Sequence, residues 1–168
     1  MILEVALDAD PEWDSRIGWA DLAEAAAEAA IAESRFPSLA AGPRTVELSV
    51  RLAENEDVRA LNAEWRGKDK PTNVLSFPLA GEAELAAAPA EGPELMLGDI
   101  ILARGVCAAE AEEKAIPIDQ HAAHLMVHGT LHLLGYEHED DAAATDMEAR
   151  ETRALARLGF ADPYGEAR

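Results

Sequence analysis

A single cysteine, Cys107, stands among 168 residues, so no internal disulfide framework exists and a reducing cytosol suits the chain. Lysine is nearly as scarce, with three against eleven arginines. These 14 cations face 33 carboxylates, for a net charge of −19. That balance argues against broad electrostatic attraction to nucleic acid or to an anionic membrane surface. No apolar run approaches the ~20 residues needed to span a bilayer. The opening Met-Ile-Leu-Glu-Val-Ala-Leu-Asp carries Glu4 and Asp8 and no basic stretch, so a secretory signal is not expected and a cytoplasmic location is. What is present is 49% hydrophobic and 28% charged, the balance of a globular chain. Its length fits one domain of roughly 100–200 residues.

Periodicity and punctuation divide the chain without a linker or an internal repeat. Residues 2–7 read as a strand and 17–34 as an Ala/Glu-rich helix stopped before Pro37. Residues 45–52 alternate Val46, Leu48, Val50 and Leu52 with polar neighbours, the period of a half-buried strand. A short helix over 55–64, with Val58 and Leu61 inward, leads to a strand closed by Pro78. Residues 80–94 read as a surface loop. An apolar strand follows over 95–102 with Asp99 in its middle, then a helix over 103–115. Asp119 is expected to cap a helix over 120–134 that Gly135 stops, and a last amphipathic helix spans 141–158. The expected fold is one α+β domain over residues 1–168, a roughly four-stranded mixed sheet with about five helices and a metal site at the end of a helix.

All five histidines fall within 18 residues: His121, His124, His128, His132 and His138. On a helix, His128 and His132 are i and i+4, neighbours on one face about 5–6 Å apart at Cβ. Gly135 can take the left-handed conformation that turns the chain back, so that His138 returns as a third ligand. Three neutral nitrogens with a fourth position open describe a catalytic zinc site better than a structural one. His121 and His124 extend the same stripe, as partners of the ligands or as a substrate edge. The spacing His-x-x-x-His-x-x-Gly-x-x-His is also that of metzincin peptidases, but their general-base Glu is replaced here by Gly129, which counts against peptide hydrolysis. Gly129 reads as leaving room beside the metal for a phosphodiester.

The run His128-Gly-Thr-Leu-His-Leu-Leu-Gly-Tyr-Glu-His138 resembles the signature of the YbeY family, bacterial metal-dependent endoribonucleases also described as rRNA maturation factors. Arg66-Gly-Lys-Asp-Lys-Pro-Thr-Asn-Val-Leu-Ser-Phe-Pro78 is similar to a second motif and Leu97-Gly-Asp-Ile100 to a third, over about residues 45–163. The resemblance implies one Zn2+ on His128, His132 and His138, a functional arginine at Arg66, and 3′-end processing of small-subunit rRNA with ribosome quality control. It further implies a small-subunit ribosomal protein and an assembly GTPase as partners. Glu137 stands where the family usually has Asp.

Read without the family, Arg66 can fork onto a phosphate, with Lys68 and Lys70 as weaker point charges in a Gly/Pro-bounded loop. Asp99, like His124 and Glu137, is a candidate hydrogen-bond partner of a ligand imidazole. Trp65 reads as packed, or stacked on a base, and Cys107 as a buried small hydrophobe. Zinc acidifies water and polarises a phosphodiester, and attack by water or by the RNA 2′-hydroxyl both suit these residues. A ribosome-assembly factor with mainly structural zinc is the alternative, and a metzincin-like peptidase the third.

Overall fold

The computed structural model describes residues 1–36, 38–86 and 94–165. Strand β1 (Ile2–Ala9) is followed by α1 (Trp19–Ala32), α2 (Ser38–Ala41), β2 (Thr45–Ala53), α3 (Asn55–Arg66) and β3 (Val74–Pro78). Then come α4 (Glu82–Ala86), β4 (Leu95–Ala103), α5 (Arg104–Glu113), α6 (Ile118–Leu133) and α7 (Asp141–Arg157). The α+β class and the four strands match expectation. The described residues hold seven helices rather than five, because α2 and α4 are about one turn each, too short to show a helical period. Each is pinned by one buried leucine, Leu39 and Leu85. Helix α4 replaces part of the loop expected over 80–94, of which residues 87–93 lie outside the described residues.

The sheet runs β1-β2-β4-β3, with β1, β2 and β4 parallel and β3 antiparallel on the edge beside β4. Val46, Leu48, Val50 and Leu52 point from β2 into the main core, shared with α1 and α6. Alanine, the strongest helix former, supplies most of the buried face of α1. On the opposite face of the sheet, Ala53, Leu75, Ile101 and Ala103 meet Val58 of α3 in a smaller core.

A break in the alternation of β4 decides which residues reach which face. Leu95 and Leu97 point into the main core, and so do Ile100 and Leu102, so the parity changes between them. The pairing to β2 slips there: Glu47 faces Met96, while Leu48 faces Gly98. Two residues on one strand against one on its neighbour is a β-bulge. Gly98 takes φ +143°, and a Cβ there would run into the carbonyl oxygen of Phe77. Only glycine suits the position.

The helix ends are set locally. A reciprocal capping box of Glu54 and Asp57 opens α3, and Gly67 at φ +69° closes it. Helix α6 starts two residues earlier than Asp119 suggests. Pro117, with φ fixed near the helical value, is its N-cap, while Asp119 sits in the first turn and accepts from the Gln120 N–H at 3.0 Å. Asp140 caps α7 by accepting from Ala143 N–H at 2.7 Å. Cys107 is fully buried, as expected, and burial, helped by the Glu110 charge, pushes its thiol up to about 12.

Candidate metal centre

Helix α6 ends in a Schellman turn that brings the third histidine back. Gly135, at φ +91°, donates to the carbonyl of His132, and Tyr136 N–H donates to that of Leu131, both at 3.0 Å. The Tyr136 ring is buried with the Arg35 and Arg150 guanidiniums over it, and its hydroxyl accepts from Arg35 N–H at 2.7 Å. Chain direction after the helix is therefore fixed, and residues 137–139 run past the last turn of α6. The ring centroid of His138 lies 5.6 Å from that of His128 and 5.1 Å from that of His132, which are 4.5 Å apart. One nitrogen from each of the three falls within 4.8 Å of the others.

The hydrogen bonds around these rings fit a cation. His132 Nδ1 donates to the carbonyl of Tyr136 at 2.7 Å, and His128 Nδ1 donates to Glu151 Oε1 at 3.0 Å. With both Nδ1 atoms carrying protons, each neutral ring has only a lone pair on Nε2. Those two Nε2 atoms are 3.0 Å apart. Two lone pairs at that distance repel unless a positive charge sits beside them, and neutral imidazole nitrogens are ordinary metal ligands. Burial, with the neighbouring His128, pulls His132 down to about 4, so it is neutral at physiological pH. The donor set and its protonation both suit a metal ion.

The cleft at this site, about 400 Å³, is lined by the three histidines, Glu137, Glu139, Arg66 and Ser76 among others. Arg66 is the last residue of α3 rather than part of a loop, and its Nη2 donates to the Ser76 carbonyl at 3.1 Å. Lys68 and Lys70 are exposed and do not line the cleft.

Asp99 is not brought to the imidazoles. The bulge in β4 turns it to the outer face, where it accepts from the Ser49 hydroxyl beside Ile101 and Phe77. Trp65 is 66% exposed rather than packed, and lines that same outer concavity. Gly129 does not face the cleft either. A Cβ there would lie 2.9 Å from Ile100 Cγ2, so this glycine lets α6 approach β4 closely and makes no room for substrate.

His124 is buried and points Nε2 to Glu151 Oε1 at 2.9 Å, the same oxygen that His128 uses. His121 pairs with Glu110 at 2.9 Å, and Asn73 donates to that carboxylate at 3.0 Å. Burial lowers the His121 pKa against the pull of Glu110. Glu151 and Glu110 escaped the sequence reading. The signal for Glu151 was there: it lies four residues after Met147 and four before Leu155, a carboxylate on the buried stripe of an amphipathic helix. Burial pushes its pKa up, but donation from His124 and His128 outweighs this and holds it at about 2.

The sequence profile of the endoribonuclease YbeY family matches residues 12–159. An endoribonuclease YbeY from Novosphingobium aromaticivorans is 52% identical over 160 residues, covering 94% of this chain and 93% of its own. Another, from Erythrobacter litoralis, is 50% identical over 169 residues and 99% of both chains. A Thermotoga maritima protein solved in solution shares the fold, with a TM-score of 0.54 at 21% identity over 95% of this chain and 98% of its own. With near-complete coverage at half identity, the chain belongs to the YbeY family of endoribonucleases, hydrolases that act on RNA.

Proposed function

We propose that the chain is a zinc-dependent endoribonuclease acting on single-stranded rRNA, in 3′-end maturation of the small-subunit rRNA and in ribosome quality control. The observation that carries this reading is the cleft itself: three imidazoles with ligand atoms within 4.8 Å of one another, and Arg66 lining the same cavity. His128, His132 and His138 hold the ion. Zinc, when bound, supplies the Lewis acidity that a phosphodiester needs. Arg66 is tethered through one N–H to Ser76, and its remaining N–H groups are available to a phosphate oxygen, where charge builds during cleavage. Glu137 and Glu139 repel phosphate from part of the cleft wall, which leaves Arg66 as the lining cation that orients the backbone.

The 168 residues work as one domain in the cytoplasm. The charge of −19 favours substrate delivered on a ribosomal particle, by a small-subunit ribosomal protein and an assembly GTPase, over capture of free RNA. The same charge is the one observation that favours the second reading, an assembly factor with structural zinc. Purified protein with an unpaired rRNA 3′ fragment separates them. Cleavage that a chelator abolishes and zinc restores supports the enzyme. Cleavage untouched by chelation overturns the metal's role, and zinc-dependent melting with no cleavage supports the assembly factor. Products ending in a 2′,3′-cyclic phosphate assign attack to the 2′-hydroxyl.

A further inference from the structure

The most deeply buried carboxylate in the described residues has no part in the cleft wall, yet it touches a ligand. Glu151, on α7, is 1% exposed and sits behind His128. Three donors converge on it. His128 Nδ1 lies 3.0 Å and His124 Nε2 2.9 Å from Oε1, and the Tyr164 hydroxyl lies 3.1 Å from Oε2. Tyr164 also packs edge-on against His124, with centroids 5.4 Å apart. A carboxylate surrounded in this way accepts from each neighbour, which forces a proton onto His128 Nδ1 and onto His124 Nε2.

An independent observation agrees. The other nitrogen of His124, Nδ1, is buried without a hydrogen-bond partner, as a lone pair left over by that tautomer would be. His124 therefore shares the carboxylate with His128 rather than serving the ion directly. The Tyr164 hydroxyl reaches both oxygens of Glu151, 3.2 Å from Oε1 and 3.1 Å from Oε2, and so helps to hold the carboxylate against His128.

We infer that Glu151 is a positioning residue of the metal centre: it holds His128 with its proton on Nδ1, so that Nε2 presents its lone pair beside Nε2 of His132. In solution an imidazole favours the opposite tautomer, with the proton on the nitrogen that must bind metal. Fixing the tautomer before the ion arrives removes that competition. Carboxylates behind metal-bound histidines are typically worth about 10–100-fold in metal affinity. The inference rests on the metal reading above, but its first measurement does not need metal.

The test uses the full chain with 15N-labelled histidine, stripped of metal with a chelator, and reads ring-nitrogen shifts by NMR at pH 7.5. Wild-type His128 is expected to show a protonated Nδ1 and an unprotonated Nε2. The opposite tautomer in the folded wild-type protein overturns the inference whatever any variant does. Zinc affinity is then measured by competition with a chromophoric chelator. Glu151→Gln, which keeps the shape but offers an amide N–H to one ring, is expected to mix the His128 tautomers and weaken zinc by about 10–100-fold. Unchanged tautomer and unchanged affinity in Glu151→Gln overturn the inference. Failure of wild-type protein to bind zinc would sink the metal reading, with the tautomer measurement still deciding the role of Glu151 toward His128.

Discussion

Among single side chains, Arg66 and His132 carry the most distinct expectations. Arg66 closes α3 and leans on a backbone carbonyl rather than on a carboxylate. Its contribution to stability is therefore one hydrogen bond, about 1 kcal/mol. Arg66→Glu is expected to abolish RNA cleavage while melting temperature and zinc content stay near wild type. Arg66→Lys should recover little, since a point charge cannot fork onto a phosphate. Loss of activity only through unfolding would contradict this. His132 predicts a pH effect. Its folded pKa of about 4 lies below the unfolded value of 6.5, so the unfolded chain binds the extra proton between them. The metal-free protein should then lose stability as pH falls from about 6.5 to 4, by on the order of 2 kcal/mol from this group. His132→Gln should flatten that slope in chemical denaturation, and an equally steep slope in the variant would refute the assignment.

At the scale of elements, the close approach of α6 to β4 matters more than any feature of the cleft mouth. A Cβ on Gly129 would press on Ile100 at 2.9 Å, within a helix that otherwise gains about 1 kcal/mol from Gly→Ala. Gly129→Ala is expected to destabilise the fold by a net 1–2 kcal/mol or so, as overpacking does. In the double variant with Ile100→Ala, the combined loss should fall short of the sum of the two single losses by more than about 0.5 kcal/mol, the usual error of additivity. Additive losses would mean that Gly129 has some other purpose. The sequence read α6 and its turn correctly because His-x-x-x-His and Gly135 are local signals with fixed geometry. It misread Gly129 because nothing in the sequence says which β-strand a helical glycine will face. Asp99 was lost for a related reason. The bulge that turns it outward lies in the pairing of β4 with β2, and it needs a glycine at 98 because any Cβ there would strike the Phe77 carbonyl, 21 residues away in the chain. Glu151 was legible in principle, as a carboxylate on a buried stripe, but its partners lie 23 and 27 residues away.

Across the whole molecule, at least half of the 14 cations are committed to carboxylates. Arg16, Arg51, Arg59, Arg104, Arg150, Arg153 and Arg157 all pair with carboxylates. Arg66 differs in binding a neutral carbonyl inside a cleft that also holds three histidines. The sheet divides the surface in two: β3 sends Ser76 to this cleft, and Phe77 to the apolar concavity where Asp99 and Trp65 lie. No helix among the described residues is long and apolar enough to cross a membrane. A net charge of −19 repels phosphate over most of the surface, which leaves the histidine cluster as the centre of the proposed function. Zinc per chain, measured by elemental analysis on purified wild type and on His128→Ala, His132→Ala and His138→Ala, tests it most directly. About one zinc per wild-type chain is expected, since three histidines leave room for one ion, with near-complete loss in each variant. Full zinc occupancy in folded His132→Ala protein would contradict it.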